Sequence, residues 1–260
     1  MRLRDRYGQI LQTFPDAPER FELTVKDVYS AVLREGETAM DLGAHTGKHS
    51  LPMGRVVGAA GRVYAFEPIL EKFKVLANNV QRAGLFQVTP LNACCLDETK
   101  IVTFVYLPTD PGKSAIHIRK SAEAVEKVYQ QSLAVRLDDL FGLEVSPQFI
   151  KIDIEGAELA AMRGAQELIG RARPVLHIEI GTPSLDAFGV RPEAIYSFLD
   201  DADYALTDVL GHPLADMAAY LESIAATGVY DYFAVPRNDP RQAAVIETCK
   251  RVWQNELGFA

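Results

Sequence analysis

Phe149-Ile150-Lys151-Ile152-Asp153-Ile154-Glu155-Gly156-Ala157-Glu158 reads as a buried strand that runs into a helix. Side chains alternate across a strand. Ile150, Ile152 and Ile154 therefore share one face. Lys151, Asp153 and, if the strand extends that far, Glu155 share the other. A central parallel strand is covered by helices on both faces, so charges there must be paired, line a cavity, or both. Residues 174–180 repeat the arrangement, with His177 and Glu179 opposite Leu176, Ile178 and Ile180. If the two strands are neighbours, Asp153, Glu155, His177 and Glu179 converge at one carboxyl edge. A purely structural reading stays open beside this one: Lys151 neutralises an acid, and Glu158 favours the first turn of the following helix.

Outward from this stretch, short apolar runs alternate with helical ones. Residues 38–43, 62–67, 87–93, 149–154, 174–180, 204–209 and 230–235 read as strands. Residues 70–83, 158–169 and 192–200 read as helices. Residues 102–107 and 133–136 are further extended pieces, with a helix expected over 121–130. Residues 2–33 read as one or two amphipathic helices broken near Pro15 and Pro18. Such alternation predicts a parallel sheet with crossover helices. Ligands of such sheets bind beyond the carboxyl ends of the strands.

The first strand ends in Met40-Asp41-Leu42-Gly43-Ala44-His45-Thr46-Gly47. Gly43 allows a tight turn and close approach to a ligand, and Gly47 does the same where a helix begins. The spacing is neither that of a dinucleotide loop nor that of a phosphate-binding loop. An acid at the strand end repels phosphate but suits a cationic ligand, so Asp41 fits the sulfonium and amine of S-adenosylmethionine better than a nucleotide phosphate. Glu67 ends the second strand, placed to accept hydrogen bonds from ribose hydroxyls. His45 faces cofactor or substrate, and His49 lies on a helix face.

The 260 residues suffice for one large α/β domain. A net charge of −8 argues against broad binding to nucleic acid or an anionic membrane. The N-terminus shows no apolar run of signal-peptide length, and no segment is apolar enough to span a bilayer. Cys94, Cys95 and Cys249 suggest neither a disulfide framework nor a zinc site. A cytoplasmic location is the expectation, and the sequence leaves the oligomeric state open.

The chain resembles the FkbM family of S-adenosylmethionine-dependent methyltransferases. The residues that carry the resemblance are Asp41 through Ser50, Phe66-Glu67-Pro68, Val135-Arg136-Leu137-Asp138-Asp139-Leu140, Ile150 through Glu158, Gly164-Ala165 and His177-Ile178-Glu179. The lysine-acid-acid-glycine-acid element from Lys151 to Glu158 is the most specific of these. His45 and Thr46 depart from the family's usual asparagine and aliphatic residue. The resemblance implies a Rossmann-like methyltransferase fold, with a seven-stranded, mostly parallel sheet and an antiparallel last strand. A methyltransferase domain over 34–260 would carry an N-terminal helical cap over 1–33. It also implies Asp41, Gly43 and Gly47 at the methionine part of the cofactor, Glu67 at the ribose, and Cys94 near the adenine.

Methyl transfer to a hydroxyl of a small molecule, sugar or secondary metabolite then needs alignment and removal of one proton. Asp153, Glu155 or His177 is the base, while Glu179 and Ser114 face the substrate; Lys113 and His117 lie on the same loop. A metal-assisted variant would place magnesium on Asp153, Glu155 and Glu179 and take a diol acceptor. A third reading is a cofactor-binding protein without catalysis, against which the buried acids argue.

Overall fold

A computed structural model describes residues 17–122, 125–225 and 229–257. Helix α1 (Ala17–Val32) precedes strand β1 (Thr38–Leu42), helix α2 (Ser50–Val57), strand β2 (Arg62–Phe66), helix α3 (Leu70–Ala83) and strand β3 (Val88–Leu91). Three strands follow: β4 (Cys94–Cys95), β5 (Lys100–Tyr106) and β6 (Val128–Val135). Next come α4 (Leu137–Leu140), β7 (Pro147–Ile152), α5 (Glu158–Gly164), α6 (Gln166–Ala172) and β8 (Val175–Glu179). The chain closes with α7 (Thr182–Ala187), α8 (Pro192–Asp201), β9 (Tyr204–Asp208), β10 (Pro213–Leu214), α9 (Met217–Ile224), β11 (Asp231–Pro236) and α10 (Arg241–Leu257).

The main sheet has the order β10-β9-β11-β8-β7-β1-β2-β3. β1 pairs in parallel with β2 and β7, and β7 with β8. β11 inserts antiparallel between β8 and β9, as expected of the last strand. The two-residue β10 adds an eighth, antiparallel member that the sequence reading lacked. Met40, Phe149, Ile150, Leu176, Ile178 and Phe233 are at most 1% exposed, the near-continuous burial expected of strands covered on both faces. One apolar core extends from Ala17 in α1 to Trp253 in α10. The expected break near Pro18 falls in the first turn of α1, where the missing N–H removes no intrahelical bond. The expected helix before it lies outside the described residues.

Two expectations for the middle of the chain need correction. The helix over 121–130 is absent: a 3-10 turn ends at Ala122, and β6 begins at Val128. β6 pairs antiparallel with β5 from Lys100↔Ala134 to Tyr106↔Val128, and β4 joins it in a separate three-stranded sheet. Ladder bonds to β5 override the helix propensity of this stretch. The single helix over 158–169 is two helices, broken at Ala165. Asp138 accepts hydrogen bonds from Glu167 N (3.0 Å) and Leu168 N (2.8 Å), so it caps α6 from the short helix α4. Arg136 pairs in turn with Asp138 and Glu167. The Arg136–Asp139 segment therefore supports the helix pair.

Gly164 closes α5 against the turn after β4. A Cβ there would lie 1.9 Å from the carbonyl oxygen of Leu96, and backbone cannot swing aside. Gly164→Ala is expected to destabilise the protein by about 1–3 kcal/mol, read from the midpoint of urea unfolding at an unchanged slope.

Candidate functional site

Each polar residue at the carboxyl edge follows a strand: Gly43 after β1, Glu67 after β2, Asp153 after β7, with Glu179 ending β8. Together they border a cavity of about 560 Å³. The strand over 149–154 stops at Ile152, although Asp153 N still donates to Leu42 O at 3.1 Å. Gly43 sits at φ +85°, and a Cβ there would meet the Asp153 carbonyl oxygen at 1.9 Å. The glycine loop and the Asp153 turn are thus in backbone contact, which only glycine permits.

Glu67 is 4% exposed. Its Oε2 accepts from His45 N (2.8 Å) and its Oε1 from Ile69 N (2.7 Å), while Asn92 holds the backbone of Glu67 and Pro68. Burial pushes its carboxyl up to about 7 against the pull of those two N–H groups. His45 lines the cavity at φ +48°, and burial, helped by the charge of Lys72, lowers its pKa. Cys94 also lines the cavity. Its thiol lies 3.6 Å from Leu133 O, and burial pushes its pKa up to about 11. Gly43, His45, Glu67 and Cys94 all line this cavity. Gly47 and Asp41 lie behind it. A Cβ on Gly47, at φ +93°, would strike Leu51 and Leu76, so its role is in helix packing. Asp41, 1% exposed, accepts from Ser50 Oγ at 2.5 Å and has Lys151 Nζ at 4.0 Å. It acts on the cavity through Lys151.

The cavity also carries an acidic group. Lys151, 3% exposed, donates to Asp153 Oδ2 at 2.7 Å. Burial works to lower its pKa, but the charges of Asp153 and Asp41 outweigh this and keep it protonated. Burial likewise works to raise the Asp153 carboxyl, yet Lys151 and a hydrogen bond from Glu179 hold it well below the usual carboxylate range. The charge of Asp153, then burial and Asp231, push Glu179 well above its ordinary value. The two carboxyls are thus driven in opposite directions, Asp153 toward its ionised form and Glu179 toward its neutral one.

Glu155 and His177 each have a partner of their own. Glu155 adopts φ +58° and lines the cavity, but its Oε2 pairs with Arg119 and accepts from Ser184 Oγ at 3.0 Å. His177, 1% exposed, bonds Asp231 Oδ1 through Nε2 at 2.8 Å and faces a smaller adjoining chamber. Asp153, Glu155 and Glu179 are therefore not gathered as a magnesium site would require. Among the described residues, no group of three or more His, Cys, Asp or Glu side chains could hold a metal ion. Glu158, 2% exposed, accepts from Gly156 N at 2.9 Å and closes the turn. Burial pushes its carboxyl up to about 7.

The covering segments add Glu22, Lys72 and Phe188, which sequence reasoning missed, beside the expected Ser114 and His117. Glu22 of α1 borders the cavity. It pairs with Lys48 (3.0 Å) and His49 (2.6 Å), which outweigh the opposing effect of burial and bring it down to about 2. Lys72 and Phe188 also line the cavity, with His117 edge-on to Phe188. Ser114, 5% exposed, lines it from the loop after β5 and accepts from Leu107 N at 3.0 Å. No helix among the described residues is long and apolar enough to cross a membrane.

Residues 41–206 match the profile described as the methyltransferase FkbM domain. No curated protein matches the sequence. The methyltransferase FkbM structure from Methylobacillus flagellatus KT is 21% identical, with 79% of this chain covering 47% of that one at a TM-score of 0.51. A putative rRNA-methylase from Clostridium thermocellum is 10% identical over 81% of this chain and 90% of that one, with a TM-score of 0.47. A SAM-dependent O-methyltransferase from Thermotoga maritima is 14% identical over 82% and 64%, with a TM-score of 0.45. The first of these likenesses establishes a shared fold, and the chain spans about half the length of that structure.

Proposed function

The chain belongs to the FkbM methyltransferase family, and from that premise we propose that it moves the methyl group of S-adenosylmethionine to a hydroxyl oxygen of a small-molecule acceptor. The observation that carries this reading is one cavity lined by two kinds of residue. Gly43, His45, Glu67 and Cys94 line it together with the acidic Asp153 and Glu179, and the Gly43 turn meets the Asp153 main chain. The residues present fit the cofactor: a Cβ-free cradle at Gly43 and a buried carboxylate at Glu67 whose remaining lone pairs can accept from a ribose.

Bound S-adenosylmethionine supplies a methyl group already activated on a sulfonium. Asp153, kept ionised by Lys151, accepts the hydrogen bond of the acceptor hydroxyl and orients its oxygen. As the carbon–oxygen bond forms, that oxygen becomes strongly acidic, so even a weakly basic carboxylate can take the proton. Glu179 donates to Asp153 and limits it to one hydroxyl. Ser114 and Phe188 close the cavity against water.

Calorimetric titration with S-adenosylhomocysteine tests the reading. Saturable binding at or below about 100 μM is expected, and no binding would overturn it. The titration should also release protons. Glu67 is partly protonated near pH 7 in the free protein, and a ribose hydrogen-bonds its ionised form better. Affinity therefore rises with pH through that region, and proton release fades above it. Glu67→Gln should abolish this release and weaken binding about tenfold or more, because one amide oxygen cannot serve both His45 N and Ile69 N.

A further inference from the structure

Beside the main cavity, between α1 and the edge of β8 and β11, lies a chamber of about 160 Å³. Four carboxyl groups border it: Glu22, Asp153, Glu179 and Asp231. Its one lysine, Lys151, is already matched by Asp153 and Asp41, and Lys48, outside the lining, pairs with Glu22 alone. His177 and His49 also line it, 1% and 7% exposed. Each gives Nε2 to a carboxylate, Asp231 and Glu22 respectively, and each leaves Nδ1 with no hydrogen-bond partner among the described residues. In the neutral tautomer that donates from Nε2, Nδ1 is a bare acceptor.

We propose that this chamber receives a protonated amine carried by the acceptor, so that the substrate is an amino alcohol, cyclic or open-chain. The proposal rests on methyl transfer in the main cavity. The argument is one of complementarity. The walls offer acceptors and negative charge in excess of donors, and a compact ammonium brings three donors and one positive charge. Asp153 and Glu179 border the chamber together, and a cation beside them relieves the repulsion between the two carboxyls. Phe21 and Val25 give the chamber an apolar flank for the carbon skeleton. Phe21, Val25 and Glu22 lie on α1, outside the matched residues 41–206, so this selectivity belongs to the chain's own covering helix.

The test uses the full chain saturated with S-adenosylhomocysteine and two probes of equal shape, trans-2-aminocyclohexanol and trans-1,2-cyclohexanediol, titrated at neutral pH by NMR. The amine should bind about tenfold tighter or better. That preference should shrink to within about threefold in Asp231→Asn and in Glu22→Gln, with retained S-adenosylhomocysteine binding as the check on folding of Asp231→Asn and the urea midpoint as that of Glu22→Gln. Equal binding of the two probes, or a preference that survives both substitutions, overturns the ammonium proposal alone. Failure of the wild-type chain to bind S-adenosylhomocysteine overturns the methyltransferase reading and this proposal with it.

Discussion

Lys151→Met is expected to destabilise the protein by about 3–5 kcal/mol, because it leaves buried carboxylates without their cation. Lys151 is 3% and Asp41 1% exposed. Asp41 Oδ1 has no hydrogen-bond partner among the described residues, and the ammonium 4.0 Å away is the cation facing it. Methionine matches the stem of lysine in length, so the loss reports charge more than volume. Lys151→Met combined with Asp41→Asn should recover part of the loss, since the amide needs no counter-ion and can still accept from Ser50 Oγ. Urea unfolding of the single and double variants measures both effects. A single variant within about 1 kcal/mol of wild type would show that the network carries little of the stability.

Asp153→Asn should lower methyl transfer about a hundredfold or more, with S-adenosylhomocysteine affinity kept within about threefold. Of the acids at this edge, Asp153 is paired with Lys151, Glu179 is pushed well above its ordinary value, and Glu155 is engaged by Arg119. Asparagine keeps the shape and the Gly43 contact, which uses the main-chain carbonyl of residue 153. It offers an NH₂ or an amide oxygen where a carboxylate must take a proton. Transfer from labelled cofactor to the wild-type acceptor gives the rate. Carboxyl-carbon NMR gives a readout independent of the acceptor: Glu179 should titrate closer to its ordinary value, since the charge of Asp153 is the largest cause of its elevation. Burial and Asp231 keep it raised in part. A rate within about tenfold of wild type would move the proton acceptor elsewhere.

Much of this arrangement was legible because strand period and strand-end chemistry are local signals. Alternation across 149–154 and 174–180 placed Lys151, Asp153, His177 and Glu179 on one face, and β7 does pair with β8 in the register Lys151↔His177. What local pattern cannot carry is the partner that claims a side chain. Glu155 left the acidic group because its left-handed backbone turns it toward Arg119, 36 residues earlier. His177 turned to Asp231, 54 residues later. Glu22 has no motif at all; it reaches the cavity because α1 packs against α2, β7 and α10. The helix misread over 121–130 shows the same limit, with helix-forming residues drawn into a ladder that only the position of β5 determines.

The contact between Gly43 and the Asp153 carbonyl works as a fixed ruler. The Gly43 turn and the Asp153 turn, to which the proposed function gives the methyl donor and the proton acceptor, touch through main chain, with no side chain between them to lengthen or shorten. A side-chain substitution at either turn therefore leaves the gap between the two proposed reaction partners nearly unchanged. Diversification in such a chain must come from the pieces laid over the ruler: α1, the loop carrying Ser114, and the segment around Phe188. An engineer seeking a new acceptor should redesign those three and leave the scale itself untouched.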